Sequence, residues 1–302
     1  MSSQYFHFIA RDTERCRSAL LEHLLARADE GVAVADWRAD AFRVIAPSAA
    51  CMPAVAAAAL CADRGAVEAA WVCAATPVHY VAEMTSVRMP ANAMLTLTAA
   101  EADSLATGFN QVWQGSGVRM TATRSAQLFC LFDRTMNVAT RDPQEVLGMH
   151  IEEFLPTGAD SATLRRLISE AEMWLFEHAA NGARKEMNLP VINALWFWGG
   201  GAPVGSLPRV QGWVAGDDPF FGAFAVAGME KFDSAVVAAA CAPGSEQWRG
   251  LETRWLRPAI EKLRAGRLSR LQLSAEDRCF TVTRGGLRRF WRKMKPWWES
   301  FA

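Results

Sequence analysis

Apolar side chains recur along this chain in two rhythms. Short runs rich in aromatic and β-branched residues predict strands at Tyr5–Ala10, Phe42–Ile45, Trp71–Thr76 and Val191–Trp198. His79–Met89 alternates loosely and predicts a further strand; Val118–Thr123 and Gln127–Phe132 predict a hairpin. Stripes at helical spacing predict helices over Thr13–Ala28, Met52–Ala62 and Asp160–His178. In the last, Leu164, Leu167, Ile168, Ala171 and Leu175 define one face. Thr98-Ala-Ala-Glu101 has the form of a capping box and starts a helix that should end before Gly115-Ser-Gly117. Trp213-Val214 and Ala235–Ala240 predict two more strands around a Phe-rich helix, Pro219–Met229. Glu246–Ala265 predicts a helix kinked or broken at Pro258. Leu268–Leu273 and Arg278–Thr283 predict a closing hairpin, with a short basic helix from Gly285.

Strands and helices alternate for most of the chain, so the expected fold class is α/β, with a mostly parallel or mixed sheet flanked by helices. No internal repeat or low-complexity linker is present. A single domain over 1–302 is expected, with a weakly marked boundary near 156–160.

Composition narrows the function classes. The 302 residues are 51% hydrophobic and 21% charged, with 32 basic and 32 acidic side chains. Balanced charge gives no global attraction to nucleic acid. Seven cysteines, none in a C-x-x-C pair, point to a reduced, cytoplasmic protein with buried thiols. The longest apolar run, Cys51–Cys61, falls well short of the roughly 20 residues a membrane span needs.

One stretch invites chemistry. From Glu170 to Gly201, a helix ends in His178, followed by Asn181 and Arg184. A proline-led strand follows with Asn193, Trp196, Trp198 and the run Gly199, Gly200, Gly201. Asn193 offers a donor and an acceptor, Arg184 could grip a carboxylate or phosphate, and the glycines allow backbone to approach a ligand closely. The competing reading is structural: a turn, a solvated arginine and a strand end. This element resembles the archaeal-type cofactor-independent phosphoglycerate mutases. It resembles more closely the RpfE-type regulatory proteins of proteobacteria. Ala75-Thr76-Pro77-Val78-His79, Leu155-Pro156-Thr157-Gly158-Ala159-Asp160 and Arg288-Arg289-Phe290-Trp291-Arg292 also match that group.

The resemblance implies an alkaline-phosphatase-like core, two divalent metals, and a Ser or Thr nucleophile. The residues do not supply that set. Only His7, His23, His79, His150 and His178 are present, and none follows Gly201, where late ligands belong. Asp217-Asp218 reads as turn chemistry. Asp12 and Thr13 follow the first strand where the nucleophile motif belongs, but helix capping explains both. The expected core is therefore degenerate, with no metal or cofactor; Mn or Mg is expected only if an active mutase or phosphatase is present after all. Ligand-binding candidates are His79, His178, Asn181, Arg184, Asn193, Trp196 and Gly199–Gly201.

The 284–302 segment holds six basic residues against Glu299, interleaved with Trp291, Trp297, Trp298 and Phe301. Arg288, Arg289, Trp291 and Arg292 are candidates for binding a partner or a phosphate. The expected function is a mutase-like binding or regulatory protein that recognises a protein partner or a small phosphorylated metabolite. An interaction module acting through the basic-aromatic segment is the other alternative.

Overall fold

A computed structural model describes residues 2–8, 16–225, 233–239, 241, 243–275 and 277–301. In chain order it begins with β1 (Ser3–Phe8), α1 (Ala19–Arg27), β2 (Val32–Ala33), α2 (Trp37–Ile45) and α3 (Val55–Arg64). Next come β3 (Trp71–Val78), β4 (Val81–Ala82), β5 (Val87–Arg88), α4 (Ala99–Val112), β6 (Val118–Ala122), β7 (Leu128–Phe132) and α5 (Pro143–Val146). Then follow α6 (Ser161–Glu177), α7 (Ala179–Glu186), β8 (Ala194–Gly201), β9 (Trp213–Gly216), α8 (Pro219–Gly222) and β10 (Ala235–Ala239). The last are α9 (Glu246–Leu251), α10 (Arg257–Arg264), β11 (Arg270–Ala275), β12 (Arg278–Thr283) and α11 (Trp298–Phe301). No described helix is long and apolar enough to cross a membrane.

The chain forms two compact units: Met1–Met52 with Pro208–Ala302, and Pro53–Leu207. The Pro156–Asp160 turn falls inside the second.

The first unit is a mixed sheet in the order β2-β12-β11-β1-β10-β9. β1 pairs in parallel with both β10 and β11. β12 returns antiparallel to β11, and β2 to β12. One face is apolar. Phe6, Phe8, Val237, Leu271, Leu273 and Val282 bury there with Leu21 and Leu24 of α1 and Leu263 of α10. The strand period of two sends Tyr5 and His7 to the other face, beside Gln272 and Ser274 of the paired strand. Helix α2 covers β1 and β10.

The second unit has the sheet order β6-β7-β3-β8, antiparallel throughout. Leu105 and Phe109 of α4 and Leu164, Leu175 of α6 bury against Trp71, Cys73, Leu195 and Phe197. The Thr98 capping box forms as expected.

Several local expectations are corrected. Phe42–Ile45 is the last turn of α2, not a strand; Asp36 caps that helix by accepting from Ala39 N. His79–Met89 holds the two-residue strands β4 and β5 rather than one strand. Gly199–Gly201 are the last residues of β8 rather than a turn that follows it. At Pro258 there is no break: a π-turn over Glu252–Leu256 leads into α10, whose first turn tolerates the proline. The expected basic helix from Gly285 is a 3-10 turn, Gly286–Arg288, followed by irregular chain. Within the described part of the expected Phe-rich helix, Pro219–Gly222 is helical; 226–232 lie outside the described residues. Of the cysteines, Cys73, Cys130, Cys241 and Cys279 are buried, whereas Cys16 and Cys51 are exposed.

Candidate functional site

The second unit brings most of the sequence candidates together, and each is hydrogen-bonded inside the unit. His178 stands where α6 hands over to α7. Its Nδ1 accepts from Ala180 N at 3.2 Å, and its ring also bonds the Ser104 backbone. Burial holds its pKa below the ordinary imidazole range, the Ser104 bond opposing. Buried Asn181 donates to the Leu175 and Ile192 carbonyls, both at 2.8 Å, and accepts from Ile192 N at 2.8 Å. Buried Arg184 donates to Pro190 O at 2.7 Å and to Glu101 Oε1 at 2.6 Å. Burial alone would raise the Glu101 carboxyl; bonds from Thr98 and Arg184 outweigh it and hold the pKa low.

Asn193 precedes β8 and clamps the Tyr80 backbone, accepting from its N–H at 2.7 Å and donating to its carbonyl at 2.8 Å. His79 Nδ1 donates to Val191 O at 2.8 Å, and Trp196 Nε1 to Arg141 O at 2.8 Å. The glycines make room for protein. A Cβ on Gly200 would lie 2.0 Å from the Trp71 ring, and one on Gly201 would lie 2.5 Å from Ala54 Cβ. Gly199 adopts φ +65°. The element therefore welds α6, α7 and the entry to β8.

The remaining candidates lie elsewhere. Asp12 and Thr13 fall outside the described residues. Arg289 ion-pairs with Asp29 at 2.7 Å and donates to Ala28 O at 3.0 Å; Arg292 donates to Ala28 O at 2.7 Å. Arg288 and Trp291 are exposed.

Sequence reasoning missed a cavity on the polar face of the first unit. A cavity of about 730 Å³ opens where β1, β10 and β11 begin, lined by Ser3, Asp40, Arg43, Asp233, Arg270 and Gln272 among others. That volume suits a small ligand, which typically takes about 300–1,000 Å³. Asp40 pairs with Arg43, and Asp233 with Lys262 at 3.1 Å. Arg270 is exposed at the wall. Gln272 Oε1 is buried without a hydrogen-bond partner. Tyr5 Oη lies beside Ser274 and Cys279.

The same face continues to His7. Its ring stacks on Trp37 with centroids 3.6 Å apart, and Nδ1 meets Ser274 Oγ at 3.3 Å. Burial, reinforced by the Arg38 charge, lowers the His7 pKa to about 3. Arg38 grips Asp218 Oδ2 through Nε at 2.9 Å and through a terminal nitrogen at 2.7 Å. Asp218 is thus more than a turn residue: it also caps α8 by accepting from Phe220 N and Phe221 N.

A two-metal centre does not fit these donors. Among the described residues, no three His, Cys, Asp or Glu side chains converge on a common point.

No family model matches the chain. Over 67 residues it is 37% identical to a 2,3-bisphosphoglycerate-independent phosphoglycerate mutase from Methanothrix thermoacetophila. A stretch of this chain is similar to a phosphoglycerate mutase. That stretch is 22% of the chain and 17% of the enzyme. A cofactor-independent phosphoglycerate mutase structure from Thermoplasma acidophilum aligns over 94% of this chain and 90% of its own, at 12% identity and TM-score 0.40. A Pyrococcus horikoshii protein aligns over 93% and 87%, at 8% identity and TM-score 0.44.

Proposed function

We propose that this protein is a phosphoglycerate-mutase-like binding protein that takes a small phosphorylated metabolite and does not carry out metal-dependent phosphoryl transfer. One observation carries the reading. The His178–Asn181–Arg184–Asn193 element serves the scaffold of its unit, with each of these side chains bonded to neighbouring backbone or to Glu101. A bimetallic reaction needs several free ligands held at once. The polar cavity of the first unit offers a different use of the fold. Arg270 provides an exposed cation for an anionic group, and Gln272 stands in the same wall.

The test is a thermal-shift screen of 3-phosphoglycerate, related phosphosugars and divalent metals, followed by a mutase assay with Mn. A ligand that binds only the folded chain raises Tm. The reading expects a shift with a phosphorylated hydroxy acid or sugar that Arg270→Ala removes. Stoichiometric metal with robust turnover ends it.

The 37% identity to a mutase supports one rival, an active enzyme using Asp12 and Thr13. That rival expects Asp12→Ala and Thr13→Ala to abolish turnover at unchanged Tm.

A further inference from the structure

The 284–302 segment is pinned at both ends, yet holds large apolar side chains in water. At its start, Arg289 and Arg292 bond the Ala28 carbonyl at the end of α1. At its far end, Trp297 is 1% exposed and donates to Cys16 O at 2.9 Å. Phe301 is buried against Phe8 and Phe280, with ring centroids 5.4 and 5.0 Å away. Between these anchors, Phe290 is 79% exposed, Trp291 68% and Met294 55%. The cations Arg288, Lys293 and Lys295 stand exposed among them. Anchors on both sides fix this display, so chain ends alone do not explain it.

We propose that Phe290, Trp291 and Met294 form a wedge that docks the protein on an anionic lipid surface. Charge complementarity selects this occupant. Arg284 to Ala302 carries six basic residues and one acid, which suits acidic headgroups, while the chain as a whole is neutral. Lysines beside exposed aromatics match an interface where ammonium groups reach headgroups and rings enter the acyl boundary. Protein-binding hot spots are instead depleted of lysine. A nucleic-acid platform presents rings for successive stacking. Here Phe290 and Trp291 meet at 80°, edge to face, and present no common stacking plane.

Sedimentation of the full chain with vesicles tests this. The chain should pellet with vesicles of phosphatidylcholine plus phosphatidylglycerol, and about tenfold more weakly with phosphatidylcholine alone or in high salt. Phe290→Ser combined with Trp291→Ser should weaken pelleting about tenfold while leaving Tm unchanged, because both rings are exposed. Lys293→Gln with Lys295→Gln should weaken it several-fold. Absence of pelleting with anionic vesicles, or pelleting indifferent to both double variants, overturns the proposal. Capture of single-stranded DNA without vesicle binding overturns it in favour of a nucleic-acid role.

Discussion

Both units pair most of their buried polar groups, but they differ in what is left over. In the second, Asn181, Arg184 and Asn193 close every strong bond they make onto backbone or a neighbouring carboxylate. Among the described residues, Trp213 Nε1 and Gln272 Oε1 of the first unit are buried with no hydrogen-bond partner, as is Asp63 Oδ2 of the second. An unmet buried polar atom costs about 1–3 kcal/mol, so a fold keeps one where something else repays it. The sequence candidates of the second unit are tied into its scaffold, whereas the polar cavity lies in the first unit.

Four measurements break or sharpen this contrast. The largest effect is expected for Arg38→Met, which strands the Asp218 carboxylate in a buried site. It should cost about 3–5 kcal/mol in denaturant unfolding. A loss under about 1 kcal/mol would show that the pair is not desolvated as its burial implies.

Acid should act next. The His7 pKa of about 3 lies below that of an unfolded imidazole, so the folded state favours the neutral ring. The unfolded chain therefore takes up a proton first as pH falls below about 6.5. Stability present at neutral pH should drop by about 1.4 kcal/mol per pH unit for that proton, roughly 3 kcal/mol by about pH 4. His23 and His178, also lowered mainly by burial, act in the same direction. His7→Gln should flatten the profile; an unaltered slope would remove His7 as the cause.

Asn181→Ala comes third. It leaves Ile192 N and the Leu175 and Ile192 carbonyls without this partner, and should cost about 2–3 kcal/mol. Any ligand response in the thermal-shift screen should survive it. Gln272→Leu should do the reverse: removing the unpaired buried Oε1 offsets the loss of the Nε2–Cys279 Sγ contact, so stability changes by under about 1 kcal/mol, but the response disappears. If both variants lose the response, the division of labour between the units is wrong.

Sequence periodicity disclosed the elements whose signal is local. The Thr98–Glu101 capping box and the one-faced stripe of α6 formed as expected. Helix α2 was misread because Phe42–Ile45 was judged alone. Trp37, Arg38, Ala41, Phe42 and Ile45 recur at helical spacing behind Asp36, and that longer window held the answer. The glycines of β8 were read as a turn because their partners, the Trp71 ring and Ala54, are distant in sequence. The cavity was invisible for the same reason. Ser3, Asp40, Asp233, Arg270 and Gln272 are unremarkable polar residues that meet only when β1 is paired on both sides.

That central position of β1 has a price in time. Both strands that flank it, β10 and β11, are made after the whole second unit. At ordinary translation speeds, the earliest strand waits roughly ten to fifty seconds on the ribosome with both edges bare. Tyr-Phe-His-Phe, its last four residues, is a sticky template in that interval. The nascent chain should therefore lean on a holding chaperone until Ala235 emerges, whereas the inserted unit can fold as soon as its own last strand appears.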